Sequence, residues 1–443
     1  MELNPLPGFR DFFPERAARR EYLFARWRES ARRFGFEPYD GPPLELTDLY
    51  RRKSGEEIVA QLYCFEDKGG RAIALRPEMT PTLARMIAAQ GASLPKPIKW
   101  FSIPQLFRYE RQQRGRLREH FQFNCDILGE SSVEADVELT ALLIETLISF
   151  GLTAEDFSVR VSDRRLLSAA LEALGISGGE ARGRVFAAVD KLSREPREKV
   201  RERLRESGIE EKAADDLLDL IGSRDLAQFA ARFETVPEAS ERILLLQRFM
   251  GLIECMGLRG FVEFDPTIVR GLAYYTGIVF EAFDRKGALR AISGGGRYDD
   301  LLENLGGAPL PALGFGMGDV VLSEMLTERN LWPARLDDGP EVYLVLVSET
   351  LRPALLALGR RLRQAGFRVD YPLASSAVGK QFRAASQRAT AAVVIGPDEW
   401  PRGLVKIKFL AAREEKTIHI SEIETELHAL RLRRAQAKPR GTS

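Results

Sequence analysis

In the run HFQFNCDIL, residues 120–128, the side chains sort into two classes with a period of two. Phe121, Phe123, Cys125 and Ile127 fall on one side of an extended chain. His120, Gln122, Asn124 and Asp126 fall on the other. A period of two belongs to a strand, so this segment must sit in a sheet with one face to bury and one polar face to use. Upstream, Arg108 and Glu110 alternate together on the outgoing arm of what reads as a hairpin over residues 98–128, two strands joined by a polar turn. A merely solvated face would favour Lys, Thr and Ser. This one offers a guanidinium, amides and carboxylates within a few strand spacings, a set suited to a zwitterionic or phosphorylated ligand. The turn itself, RQQRGRLR, holds four arginines and a glycine and suits phosphates, of a nucleotide or of a nucleic-acid end.

The chain has 443 residues, enough for two to four domains and a large core. Its net charge of +1 gives no global field toward a polyanion, so any such partner must be held by local basic patches. Cys64, Cys125 and Cys255 are far apart, in apolar contexts, and form neither a disulfide framework nor a zinc spacing. With only His120, His419 and His428 present, the composition argues against a histidine-based metal site. No apolar run approaches the length of a membrane span and the first residues lack a signal-peptide core, so a cytoplasmic location is expected.

Residues 15–34 place Leu23, Phe24, Trp27, Ala31 and Phe34 on one helical face, behind a Pro-Glu start. Residues 133–150 read as an apolar helix and SVRVSD as the strand after it. Residues 178–235 turn dense in Arg, Glu, Lys and Ala, which predicts a helical insertion. A catalytic domain is expected over 1–325, a linker over 326–340, an α/β domain over 341–428 and a basic, disordered tail over 429–443. The α/β domain reads βαβαββ with a largely parallel sheet, and Lys380, Arg383, Arg388, Lys406 and Lys408 give it local positive charge.

Three further stretches carry candidate chemistry. In LRPEMTPTLARMI a strand ends and a helix begins, placing Glu78 and Thr80 where ligand sites gather; Thr80 before Pro81 equally fits a plain helix start. ISGGGRYDDLLENLGG and PALGFGMGD read as glycine-rich turns, without the spacing of a Walker loop or a dinucleotide fingerprint. VRGLAYYTGIVFEAFD, residues 269–284, opens a core-like strand with Arg270, whose permanent charge needs an anionic partner if buried. Tyr274 and Tyr275 follow it and would point to opposite faces of a strand.

Taken together, these motifs resemble the class II aminoacyl-tRNA synthetases and, within them, the histidyl enzymes. GFRDFFPE looks like the N-terminal signature, FGFEPYDGPPLE like motif 1 and FRYERQQRGRLREHFQFNCDILG like motif 2, the most specific of these. RGLAYYTGIVFE is similar to a block peculiar to the histidyl enzymes, the glycine runs to the approach to motif 3, and residues 341–410 to an anticodon-binding domain. The resemblance implies an α+β catalytic domain built on an antiparallel sheet, with a helical insertion and a C-terminal α/β anticodon-binding domain. It implies ATP-dependent activation of L-histidine and transfer to the 3′ end of tRNA(His) by a homodimer, with Mg²⁺ arriving on ATP and no metal held by protein side chains.

By the same resemblance Arg270 and Arg108 are the catalytic cations at the α-phosphate. Glu110 and Arg116 join them around ATP. Glu78, Thr80, Gln122, Asp126, Tyr274 and Tyr275 surround the histidine substrate, and Gln113 and Arg114 reach the acceptor end of the tRNA. Ala273 departs from an aspartate common in the family, and Gln112 from a proline. Motif 3 in the family ends in Glu-Arg, its arginine on the γ-phosphate of ATP; here the run is Asp319, Val320, Val321. That departure keeps an alternative in view, a histidine-binding regulatory subunit of ATP phosphoribosyltransferase. The C-terminal domain and the paired Arg108 and Arg270 speak against it.

Overall fold

The computed structural model describes residues 3–51, 60–90, 93–111, 113–193, 195–268, 275–287, 289–333, 336 and 339–437. The chain forms two compact units, 1–334 and 335–443. In the first, the strands in chain order are β1 (Glu37–Pro38), β2 (Leu44–Leu46), β3 (Cys64–Glu66), β4 (Ala72–Leu75), β5 (Ile98–Ser102), β6 (Gln105–Phe107), β7 (Glu119–Leu128), β8 (Phe157–Asp163), β9 (Val262–Phe264), β10 (Ile278–Asp284), β11 (Ser293–Arg297) and β12 (Ala312–Gly318). Nine of them form one sheet in the order β1-β5-β7-β12-β11-β10-β8-β9, with β6 also paired to β7. Every pairing between β5 and β8 along that order is antiparallel, and only the two outermost pairs, β1 with β5 and β8 with β9, are parallel. A three-stranded sheet, β2-β4-β3, stands apart.

The expected hairpin over 98–128 contains a break. Strands β5 and β6 are separate because Pro104 has no N–H to continue the ladder; its carbonyl accepts from the Gln122 amide at 3.1 Å instead.

The period-two pattern of β7 fixes the layers. Its apolar face carries Phe121, Phe123, Cys125 and Ile127 into the core. Two helices cover it: α1 (Pro14–Arg33) and, after α2 (Thr47–Arg51) and α3 (Thr80–Gln90), α4 (Val133–Ile148). On α1 the stripe Leu23, Phe24, Trp27 and Ala31 is buried, and Trp27 stacks on Phe123 with ring centroids 5.6 Å apart. Each such fully buried aromatic contributes about 2 kcal/mol through area alone. The Glu134 and Asp136 side chains open α4 where its dipole favours anions. Asp136 also holds the Arg297 guanidinium at 2.5 Å, tying the end of β11 to the helix beneath.

Residues 164–255 are helical throughout apart from short links: α5 (Arg164–Ala173), α6 (Gly179–Val189), α7 (Arg197–Glu206), α8 (Glu211–Ser223), α9 (Leu226–Phe233) and α10 (Pro237–Cys255). A separate cluster around Val185, Val200, Leu204, Leu217 and Ile221 gives α5 to α8 a core of their own. Helix α10 returns to the main core through Leu246 and Phe249.

Expectations about glycine, boundaries and cysteine surroundings change. The glycine-rich runs at 293–297 and 312–318 are strands, and only short α11 (Leu301–Asn304) lies between them. Likewise the strand after the tyrosine pair begins only at Ile278, so Tyr275 precedes it; Arg270 and Tyr274 lie outside the described residues. Helix α12 (Asp319–Glu328) continues three residues into the stretch expected as a linker, and Leu331 and Trp332 still pack on the first unit's core. All three cysteines are free; Cys64 and Cys255 are exposed rather than in apolar surroundings.

The second unit holds β13 (Val342–Leu346), α13 (Arg352–Gln364), β14 (Val369–Asp370), α14 (Val378–Arg388), β15 (Ala391–Ile395), β16 (Leu404–Phe409) and β17 (Glu414–His419), in sheet order β14-β13-β15-β16-β17. Strands β13, β14 and β15 are parallel, as the βαβ alternation requires; β16 and β17 add antiparallel. Strand β17 is a polar, exposed edge that carries no apolar alternation to announce it. The tail expected to be disordered from 429 is helical through Ala437, in α15 (Ile423–Ala437). Arg431 explains its order: it pairs with Glu341 at 2.6 Å and lies 4.2 Å over the Phe367 ring.

Candidate active site

The polar face of β7 looks across a floor made of glycine. In register, Gly314 of β12 lies opposite Asp126, Gly316 opposite Asn124 and Gly318 opposite Gln122; one strand on, Gly296 of β11 faces Gly314 and Gly294 faces Gly316. Side chains would fill this space. A Cβ on Gly314 would fall 2.1 Å from Asp126 Oδ1, and one on Gly316 would fall 2.2 Å from Gln122 Nε2. The glycines are there so that the Gln122 and Asp126 side chains can lie flat over the neighbouring strands. Asp126 is buried and accepts a hydrogen bond from the Tyr298 hydroxyl, a partner that follows the GGGR run and that the sequence reading passed over. Tyr275 is buried in the same region, clustered with Val279, Tyr298, Leu83 and Ala84.

Glu78 is buried in the turn between β4 and α3, and Thr80 is the first residue of α3. Arg108 brings this turn to the hairpin, since its Nε donates to the Pro77 carbonyl at 2.9 Å. Arg76, also passed over, anchors the same turn from below, its Nη1 reaching Asp40 Oδ1 at 2.9 Å and the Gly41 carbonyl at 2.7 Å. Glu78, Arg108, Gln122 and Asp126 are therefore held by elements tied directly to β7 or to its hairpin.

Beyond Arg108 the hairpin is dense in charge, most of it neutralised. Arg116 pairs with the buried Glu110. Arg114 pairs with Glu328 and, at 3.5 Å, with Glu324, both on α12. Gln113 closes the turn through a backbone bridge to Arg116, and its side-chain oxygen accepts from Arg290. Arg10, from the GFRDFFPE run, donates to Glu119 at 2.5 Å and to Asp319 at 2.8 Å. Asp319 Oδ1 in turn accepts from the Phe121 amide at 2.9 Å. The aspartate in the departing motif 3 thus clamps the N-terminal segment to β7; burial pushes its carboxyl up, against the pull of Arg10.

His120 sits on the ligand face among these cations. Burial first, then the positive charge of Arg108, Arg10 and Arg116, lowers its pKa to about 3, so the imidazole is neutral at ordinary pH. Among the described residues no cluster of three His, Cys, Asp or Glu side chains could hold a metal. The arrangement can do one kind of chemistry well. It can fix an anionic phosphate chain along the arginines, beside a slot of amides and carboxylates for a small polar ligand.

This sheet, with its glycine floor and arginine-bearing hairpin, is the catalytic unit of a class II aminoacyl-tRNA synthetase. The comparisons narrow it. Residues 8–319 match the family model described as histidyl-tRNA synthetase, and residues 341–430 match the anticodon binding domain. The histidine–tRNA ligase of Opitutus terrae is 46% identical over 423 residues, covering 95% of this chain and 96% of that protein. The chloroplastic/mitochondrial histidine–tRNA ligase of Arabidopsis thaliana is 42% identical, covering 96% of this chain and 86% of that one. The crystal structure of histidyl-tRNA synthetase from Nostoc sp. superposes with a TM-score of 0.82 at 24% identity, covering 97% of this chain and 99% of that one, a likeness of fold. The chain belongs to the histidyl-tRNA synthetase family.

The pH behaviour of His120 gives a check with a definite sign. An unfolded histidine titrates near pH 6.5, whereas the folded one resists protonation down to about pH 3. Between those limits the unfolded chain binds a proton the folded chain refuses, so this group lowers stability as pH falls and is silent above pH 7. Melting temperatures recorded from pH 7 to pH 5 should fall less steeply for His120→Gln than for the natural chain. Equal slopes would show that His120 is not held neutral.

Proposed function

We propose that this chain activates L-histidine with ATP to histidyl-adenylate and transfers the histidyl group to the 3′ end of tRNA(His). The observation that carries this reading is the pairing of Gln122 and Asp126 with the glycines that make room for them, beside Arg108 on the same hairpin. A carboxylate and an amide over a flat floor can hydrogen-bond both nitrogens of an imidazole, and a slot of paired hydrogen bonds rejects analogues lacking them. Buried Glu78 suits the substrate's ammonium, with Thr80 and Tyr275 completing the slot.

In the first step a histidine carboxylate oxygen attacks the α-phosphorus of ATP; that O–P bond forms as the bond to the β-phosphate oxygen breaks, and pyrophosphate leaves. Arg108 and Arg270 oppose the charge that builds on the phosphoryl oxygens, and Glu110 fixes Arg116 for the nucleotide. In the second step a ribose hydroxyl at the tRNA terminus attacks the activated carbonyl and AMP leaves. Gln113 and Arg114, at the hairpin tip, would meet that terminus. Mg²⁺ would arrive with ATP and supply charge neutralisation at its phosphates.

The second unit would read the anticodon, with Lys380, Arg383 and Arg388 exposed on α14 for phosphate contacts. Lys406 and Arg388 contribute less, because Glu399 neutralises the first at 2.6 Å and Asp370 lies 3.5 Å from the second. No described helix is long and apolar enough to cross a membrane, and we place the activity in the cytoplasm. For the regulatory-subunit reading there is a likeness of fold alone. A structure described as an ATP phosphoribosyltransferase regulatory subunit/histidyl-tRNA synthetase from Bacillus halodurans superposes with a TM-score of 0.73 at 22% identity, covering 89% of this chain and 98% of that one. The anticodon-domain match over 341–430 favours the synthetase.

ATP–pyrophosphate exchange with purified protein tests the proposal. Exchange should depend on histidine among the amino acids tried and fall at least a hundredfold in Arg108→Ala, about 3 kcal/mol of transition-state charge stabilisation. Histidine binding with no exchange would move the assignment to the regulatory subunit. We further propose a homodimer that covers Leu44, Leu46 and Phe65, large apolar side chains exposed at the β2-β4-β3 sheet. Sedimentation should show a species near twice 49.7 kDa, converted toward monomer by Leu46→Asp; a monomeric natural chain would refute it.

A further inference from the structure

Around the hairpin, some arginines are matched to carboxylates, while Arg108, Arg111, Arg118 and Arg290 form no ion pair among the described residues. Arg10, Arg114 and Arg116 each face at least one carboxylate. Arg118 lies 4.3 Å over the Tyr109 ring and donates to the Glu110 carbonyl. Of the four, Arg108 and Arg290 each make one side-chain hydrogen bond among the described residues: Arg108 donates to a backbone carbonyl and Arg290 to the neutral amide of Gln113. A guanidinium cannot shed its charge, so an arginine left to neutral acceptors, in a region where its neighbours have carboxylates, is set for an anion that arrives from outside.

The two stand at opposite ends of the same turn. Arg108 is at the base, where its amide pairs with the Arg118 carbonyl at 2.9 Å. Arg290, exposed in the connection from β10 to β11, reaches the tip. A polyphosphate laid along the hairpin would meet Arg108 first and Arg290 at its outer end.

Arg290 also stands beside the position that the motif 3 departure leaves without charge. Gly115, in the turn with φ +73°, marks the spot: a Cβ there would lie 3.2 Å from Val321 Cγ2 and 4.0 Å from Arg290 Cδ. The stem of Arg290 and the side chain of Val321 therefore approach the same point beside Gly115, where the Glu324 carboxylate also lies, its Oε1 accepting from the Gly115 amide at 3.2 Å. An arginine on the β10–β11 connection and an arginine at position 321 would deliver charge to the same neighbourhood from two directions. Asp319 cannot be recruited to the task, being an anion already engaged by Arg10.

We infer that Arg290 binds the outermost phosphate of ATP and so replaces the arginine missing at position 321. The inference rests on the synthetase reading for the identity of the nucleotide. The Gln113 side-chain oxygen accepts from the guanidinium, and ATP would exchange that neutral acceptor for a phosphate. Because the contact is to the terminal phosphate, it acts on ATP and not on AMP.

Calorimetric binding of ATP and of AMP, each to the natural protein, Arg290→Ala, Arg290→Lys and Arg111→Ala, tests this. Arg111 carries the same charge in the same turn and serves as the control for general electrostatics. ATP affinity should fall by about tenfold to a hundredfold in Arg290→Ala, the loss expected for one charge-assisted contact. AMP affinity should stay within about twofold by the same reasoning. Arg290→Lys should recover part of the loss, and Arg111→Ala should bind ATP as the natural chain does. Equal losses for ATP and AMP, or no loss for either, would overturn the assignment. So would a defect confined to the tRNA KM in charging assays, which would make Arg290 a support for Gln113 at the acceptor end. A natural chain that binds ATP but shows no histidine-dependent exchange would refute the synthetase reading, while the ATP-to-AMP comparison would still decide the role of Arg290.

Discussion

The structure depends on one register. Strand β12 sets Gly314 opposite Asp126, and β11 sets Gly296 opposite Gly314, so two adjacent strands present no side chain where β7 presents its polar ones. A slip of β12 by one residue would turn Phe315 and Leu313 to the ligand side, over Asp126. The opposite face prevents the slip. Phe123, Phe315 and Trp27 lock together there, with Phe123 and Phe315 centroids 5.6 Å apart. The apolar core thus does more than stabilise the sheet: by fixing which face is buried it fixes where the amides and carboxylates can act.

Charge placement follows from that frame. Removing water from a carboxylate or a guanidinium costs several kcal/mol unless a partner compensates. Most charged groups near the hairpin have one: Arg10 with Glu119 and Asp319, Arg116 with Glu110, Arg297 with Asp136. His120 meets the same constraint by staying neutral among three arginines. Arg108 and Arg290, left with neutral acceptors among the described residues, are among the groups with charge to offer a ligand. The missing arginine at 321 then reads as a relocation of charge: Val321 packs over Gly115, and the cation beside it comes from another connection.

Much of this was legible in the sequence, because period two in residues 120–128 survives any context that has a buried face. The helix stripe on α1 and the βαβ rhythm of the second unit were legible for the same reason. The glycine runs were not. Composition marks GGG and GFGMG as turns, since glycine is the residue of turns; tertiary packing made them central strands, since no other residue leaves room for Gln122 and Asp126. Tyr298 and Arg76 were missed because their roles depend on partners 172 and 36 residues away, a separation that no local pattern encodes. The order of α15 escaped because Arg431 looks like tail charge until Glu341 and Phe367 are beside it.

Histidine binding to Gly314→Ala, measured by calorimetry beside the natural chain, tests the account at its centre. The added methyl carbon would lie 2.1 Å from Asp126 Oδ1 and 3.1 Å from the Cys125 carbonyl oxygen, so the carboxylate must swing off the floor. The account predicts that histidine affinity falls at least tenfold, about 1.4 kcal/mol, while ATP affinity is kept. A folded Gly314→Ala protein that binds histidine as tightly as the natural chain would contradict it.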